Sequence, residues 1–319
     1  MRTRPIQVSS DPVPPVHRAV LLHEAVNHLH IKPDDTVVDA TLGGGGHAKE
    51  IAAHLGLKAE FIGFDLDSAA IERAHRALQN AKCKVELIES NFRELGSALS
   101  ARSVRGIDKA LFDLGWSSFQ LNAGRGFSFN TNGPLLMTYA TDSRTGLTAA
   151  QIVNLWTEQS LADVFFGWGE DRFARRIARA LVERRKVRPF TTAKELAEAI
   201  REAVPPSYRH GRIHPATKTF QALRIAVNDE LGALTDGLKA AWALLRPGGR
   251  IAVISFHSIE DRLVKQYFAE LVKSGVAQRI SKKPIVPDVE EVRDNPRARS
   301  AKLRVIEKKA YEQDTSTTT

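Results

Sequence analysis

The residues best placed to do chemistry are a run of glycines and the acids set around it. Asp39 closes an apolar stretch beginning at Thr36 and is followed at once by Thr41-Leu-Gly-Gly-Gly-Gly-His47. A strand that breaks into glycines and restarts as a helix lets a ligand approach the backbone closely. Asp65 ends the next apolar stretch, Glu60-Phe-Ile-Gly-Phe-Asp65, and an acid there can take both hydroxyls of a ribose. Together they read as a site for a nucleoside-containing cofactor. The glycine run does not keep G-x-G-x-x-G spacing, and no G-K-[ST] closes it, so a nucleoside triphosphate loop is disfavoured. Asp39 would repel a pyrophosphate but suits the cationic methionine end of S-adenosylmethionine. On charge, methyl transfer is favoured over hydride transfer.

These residues need a sheet to hold them. Thr36–Ala40, Glu60–Asp65, Lys84–Glu89 and Asp108–Asp113 read as strands, and helices are expected at 19–30, 47–55 and from Ser68. Alternation of this kind predicts an α/β fold with a parallel sheet covered on both faces. The next strand, Arg250–Phe256, comes far later than the ~30 residues a strand–helix–strand crossover needs. The intervening sequence is helical in pattern, with Thr192-Ala-Lys-Glu195 as a capping box. A doubly wound α/β domain over 16–126 and 215–310 is therefore expected, interrupted by an all-helical insertion over 127–214. Glu260–Phe268 should be helical, and Gln278–Ser281 with Ala301–Glu307 should add a last strand pair. Polar tails are expected at 1–15 and 311–319.

The composition, 43% hydrophobic and 26% charged, is that of a globular chain able to bury a core. Cys83 is the single cysteine, which excludes a disulfide framework or thiolate metal cluster and favours the cytoplasm. No apolar run is long enough to span a bilayer, and the scattered histidines predict no metal site. A net charge of +9 favours polyanionic partners.

Longer motifs narrow this. Asp39–His47, Asp113-Leu-Gly-Trp-Ser-Ser-Phe-Gln120, Arg125–Phe129, Glu170–Arg179, His214–Arg224, Ser255–Arg262 and Asn295-Pro-Arg-Ala-Arg-Ser300 run in order over nearly the whole chain. In this it resembles the bacterial family (RsmH/MraW) that methylates N4 of a cytidine in the decoding region of small-subunit (16S) ribosomal RNA. The resemblance implies a Rossmann-like S-adenosylmethionine-dependent methyltransferase with a helical substrate domain, acting on ribosomal RNA or the assembled small subunit. It leaves oligomeric state open, a homodimer included. It implies cofactor contacts at Gly45, Gly46, His47, Asp65, Phe92, Asp113 and Gln120. The sequence departs from the family pattern at Trp116 and Phe119. It departs again at Leu136 and Thr138, where an acid and a base are usual, which bears on substrate placement.

A cytosine amine is a weak nucleophile, so the enzyme must align it with the methyl group and polarise it with an acceptor. Asp113 at the end of its strand is the natural catalytic acceptor, with a purely cofactor-binding role the equal alternative. Trp116 reads as a stacking platform or a core residue, and Ser117 and Ser118 as base contacts or a helix cap. His257, Glu260 and Asp261 read as pocket-shaping or catalytic. Arg172, Arg175, Arg176 and Arg179 recur at helical spacing and are expected to form a phosphate-binding face. The alternative readings are a catalytically weak RNA-binding assembly factor and a methyltransferase of another substrate.

Overall fold

The computed structural model describes residues 18–115, 124–129, 132–139, 146–211 and 213–310. The strands are β1 (Thr36–Asp39), β2 (Glu60–Asp65), β3 (Lys84–Glu89), β4 (Ile107–Asp113), β5 (Leu245–Ser255), β6 (Ala277–Arg279) and β7 (Lys302–Lys308). They form one sheet in the order β3-β2-β1-β4-β5-β7-β6. β1 to β5 are parallel, whereas β7 runs antiparallel between β5 and β6. β5 starts at Leu245, ahead of the expected Arg250, because Leu245 already pairs with Ile107 across an irregularity in the ladder.

Alternation along the strands explains why both faces are covered. Val37, Phe61, Leu111 and Ala252 point to one face, packing under α1 (Leu22–Leu29), α2 (Gly46–His54) and α3 (Ser68–Ala77). Their neighbours Val38, Ile62, Phe112 and Val253 point to the other. There they meet α4 (Leu95–Ala101) and two later helices, α11 (Glu230–Leu244) and α12 (Ser258–Lys273). The result is the doubly wound α/β architecture. Parallel pairing brings Asp39, Asp65 and Asp113 to the carboxyl edge of the sheet, where such folds bind ligands.

Between β4 and β5 lie α5 (Ala149–Leu155), α6 (Glu158–Gly167), α7 (Ala174–Val187), α8 (Ala193–Ala203), the short α9 (Pro206–Arg209) and α10 (Thr217–Asn228). Capping boxes at Thr148 and Thr192 start α5 and α8. These helices share their own core, including Phe165, Ile177, Leu181 and Leu196. That core also takes Ala216, Phe220, Ala222 and Leu223, so helical packing continues past residue 214, where the sequence reading placed the end of the insertion. α10 carries apolar residues on the face that meets α6, and the chain turns out of it at Asp229, whose φ is 45°.

The arginine face is only partly as expected. Arg172 precedes α7 and lies over the rings of Phe173 and Tyr208. Arg176 donates to the Ala203 carbonyl at the end of α8, and Arg179 pairs with Glu158 at 3.5 Å. Arg175 is exposed and has no partner among the described residues. Two of the four arginines thus serve packing, Arg172 by stacking on aromatic rings and Arg176 by capping the end of α8.

Candidate active site

The glycine loop is held open by the acid that follows it in space. Gly43 N–H donates to Asp65 Oδ2 at 2.8 Å, and Asp67 N–H to Asp65 Oδ1 at 2.9 Å. Leu42 N–H reaches the Phe64 carbonyl, tying the loop to β2. Gly43 has φ +50° and a side chain there would project into open space, while Gly45, at φ +79°, faces Ala74 and Ala77 of α3. Only residues tolerant of left-handed backbone fit these two places.

The loop borders a cavity of about 760 Å³ that reaches from the sheet edge to the helical insertion. Of the cofactor residues expected from sequence, Gly46, His47, Asp65, Phe92 and Asp113 line it. Gly45 does not. It turns towards α3, and Gly43 and Gly44 line the wall instead. Gln120 falls outside the described residues, as do Trp116, Ser117, Ser118 and Phe119. Phe92 packs edge-on against Phe112 at 5.7 Å, so one side of its ring belongs to the core and another to the cavity.

Beneath the loop is a buried group of charges. Asp113 N–H donates to Thr41 Oγ1 at 2.7 Å, and Thr41 N–H to Asp39 Oδ1 at 3.0 Å, which locks the ends of β1 and β4 together. His47 Nδ1 lies 3.4 Å from Asp113 Oδ2. Asp39 is fully buried, and that burial pushes its carboxyl up to about 6, partly offset by His47. Burial opposes a charge on His47, yet Asp113 and Asp39 together hold its imidazole above the usual range. Asp65 is likewise raised by burial, against the two N–H groups it accepts. Asp113 Oδ1 is buried with no hydrogen-bond partner among the described residues, an acceptor presented to whatever fills the cavity.

The far wall, towards the insertion, is aromatic and ionic. Phe127, Phe129 and Phe220 line it, while Phe256 lines the cavity from the end of β5, beside Gly115. Arg224 pairs with Glu230 through Nε at 2.8 Å and Nη2 at 2.9 Å, and Tyr139 donates to Glu230 Oε1 at 2.9 Å. Glu260 Oε2 accepts from Phe256 N–H at 2.8 Å, and its Oε1 lies 3.0 Å from His257 Nε2. Burial works against the charge on Glu260, but His257 and Arg224 outweigh it and hold the carboxyl below the usual range. Asp261 instead leaves the cavity and binds Lys302 and Arg304. Glu230, His257 and Glu260 bring ligand-type atoms within 4.8 Å of one another, a donor set that no sequence spacing suggested. Both Glu230 oxygens are already engaged by Arg224 and Tyr139, so the cluster reads first as an ion-pair network. Leu136 and Thr138, the departures noted above, do not line the cavity; their neighbours Met137 and Tyr139 do.

The donor chemistry fits a nucleoside bearing a cationic side arm: an acid for a ribose, a ring beside it, a glycine cradle and buried negative charge. Comparison with known proteins decides the matter, since the MraW methylase family model matches residues 15–309. The chain belongs to that family. As a member it is a methyltransferase that uses S-adenosylmethionine. It is 45% identical to a "Ribosomal RNA small subunit methyltransferase H" of Paenibacillus over 92% of this chain and 99% of that one. It is 47% identical to the Deinococcus deserti protein of the same name, over 92% and 93%. Among solved structures, a methyltransferase of Streptococcus mutans in complex with SAH aligns over 91% of this chain and 99% of that one. The match has 12% identity and a TM-score of 0.43. No helix among the described residues is long and apolar enough to cross a membrane.

Proposed function

We propose that this MraW-family methyltransferase methylates N4 of a cytidine in the decoding region of small-subunit ribosomal RNA, working in the cytoplasm on the RNA or the assembled subunit. The match to relatives named for small-subunit ribosomal RNA over nearly their full length supports the substrate class. The observation that carries the chemistry is Asp113, whose side chain lines the cavity and whose Oδ1 is buried and unengaged among the described residues.

The methyl donor supplies, when bound, a methyl group already activated by its sulfonium charge. Gly43, Gly44, Gly46 and His47 would border its methionine end, Asp65 its ribose and Phe92 its adenine, with Gly45 shaping the loop from behind. The aromatic far wall suits a base drawn out of its stack, which a base-modifying enzyme must accomplish. Asp113 Oδ1 would accept a hydrogen bond from the exocyclic amine, raising its nucleophilicity, and would take its proton as the methyl group passes from the donor's sulfur, left as a neutral thioether, to the nitrogen. His47 steadies the other carboxylate oxygen. A catalytically silent role has less support, because Leu136 and Thr138 lie off the cavity wall.

The test is mass analysis of small-subunit ribosomal RNA nucleosides after incubation with purified protein and donor. N4-methylcytidine should appear with the wild type and vanish with Asp113→Ala. If neither free RNA nor assembled subunit is methylated by the wild type, the substrate assignment fails.

A further inference from the structure

The segment that leads into α10 carries a ring that the site as described does not use. His214 is exposed, and its imidazole stacks on Phe129 with centroids 4.4 Å apart and planes 15° from parallel. Phe129 is in turn met edge-on by Phe220 at 5.6 Å, and both phenyl rings line the cavity. His214 is not among the lining residues. The imidazole therefore backs the cavity wall, one face against Phe129 on a residue otherwise open to solvent.

The ring is fixed before anything binds. Ala216 N–H donates to His214 Nδ1 at 3.2 Å, and Thr217 N–H to the His214 carbonyl at 3.0 Å. The buried Pro215 confines the backbone of the residue ahead of it. Partial burial and the charge of Arg201, on α8, hold the imidazole below its usual range, so it is neutral at pH 7. Arg201 itself is exposed, with no hydrogen-bond or ion-pair partner among the described residues. A second aromatic pair of the insertion, Phe173 and Tyr208, is already covered, since Arg172 lies over both rings at 4.8 and 5.0 Å.

A fixed, neutral ring face with a cation beside it suits a nucleobase and its phosphate. Drawing the target base out of its stack also leaves its neighbours with uncovered faces. We propose that His214 is a stacking platform for a base adjoining the target cytidine, with Arg201 on that nucleotide's phosphate. The Phe129–His214 pair then serves both sides of the wall: Phe129 borders the extruded base, and His214 carries its neighbour. The inference rests on the reading that RNA is the substrate.

The experiment measures affinity for a small-subunit ribosomal RNA fragment centred on the methylated cytidine, with donor affinity as the control. His214→Asn keeps an acceptor for Ala216 N–H but loses the ring, and should weaken RNA binding by about 5- to 150-fold. His214→Phe keeps a ring and loses the acceptor; with thermal melting to check folding, it should stay within about threefold of wild type. Donor binding should be unchanged in both. An abasic nucleotide in place of one neighbour of the target should weaken the wild type as much as His214→Asn does, and should add nothing to that variant. Wild-type RNA affinity in His214→Asn overturns the proposal. So does an equal loss in a folded His214→Phe, which would mark a role for the ring nitrogens, and so do losses that add with an abasic site at either neighbour. Arg201→Gln should lower the log–log salt slope by about 0.7, and an unchanged slope takes Arg201 off the phosphate. If the wild type binds neither the fragment nor the assembled subunit, the RNA assignment itself falls, a separate result.

Discussion

Replacing Asp65 by alanine separates two jobs that one carboxylate performs. Each of its oxygens already accepts one backbone N–H, from Gly43 at 2.8 Å and from Asp67 at 2.9 Å. Each oxygen keeps a second lone pair, so both hydroxyls of a ribose can still be taken. Losing those charged hydrogen bonds should weaken S-adenosylmethionine binding by about 1–3 kcal/mol, roughly 5- to 150-fold in Kd. The two orphaned N–H groups add a cost that the ligand does not see, about 1–2 kcal/mol of fold stability, since they border a cavity that water can enter. Calorimetry of donor binding therefore reads the first job, and urea unfolding of the ligand-free protein reads the second. Asp65→Asn keeps one acceptor oxygen and should fall between. A folded Asp65→Ala protein with wild-type affinity would show that the ribose does not lie on this acid, and the placing of Phe92 against the adenine would fall with it.

Three further outcomes are expected. Asp39 has its folded-state carboxyl raised to about 6 against an unfolded value of 3.8. The folded protein therefore holds that proton more tightly, an advantage present below pH 4 and lost as pH rises through 6. Asp39→Asn should accordingly raise stability by about 1–3 kcal/mol at pH 7.5, about half as much at pH 5 and little below pH 4, and melts showing a pH-independent difference would refute the reasoning. On α7, Arg175→Gln with Arg179→Gln should lower the log–log salt slope of RNA binding by about 1.4–1.8, whereas Arg176→Gln should mainly lower the melting temperature through the lost bond to Ala203. An unchanged slope in the double variant would leave that face merely solvated. Arg224→Met leaves Glu230, whose side chain is 14% exposed, without its cation and should cost about 2–4 kcal/mol in urea unfolding; a loss under 1 kcal/mol would mean the pair is solvated in solution.

The sheet was legible because β1, β2 and β4 are buried on both faces and read as short apolar runs ending in an acid. The expected spans of β2 and β3 match the structure at both ends, and the last strand pair lies within a residue or two of its expected place. The far end of the insertion was not legible. Phe220 and Leu223 announce an apolar helix face, but nothing in their spacing says whether the sheet or the other helices will cover it. Four consecutive glycines are equally ambiguous, since only backbone dihedrals distinguish Gly43, open to the cavity, from Gly45, turned to α3. The proximity of Asp39, His47 and Asp113 depends on pairing of β1 with β4, a contact across some seventy residues. The Arg224–Glu230–Glu260 network joins an inserted helix to two helices of the sheet domain, and no local pattern marks it.

The place of β7 has a consequence for the growing chain. It lies between β5 and β6 although it is made after both, so the inner edge of β5, Ile251-Ala-Val-Ile254, must wait for it. At ~5–20 residues per second of synthesis, that apolar edge stays open for roughly 2–10 s while the intervening helix and turns emerge. Such an edge is a template for pairing with another chain. The helical insertion, whose contacts are mostly local, can fold before β5 exists. The newborn protein therefore passes through a stage with a finished helical lobe and an unfinished sheet, and this is when a chaperone would have most to hold.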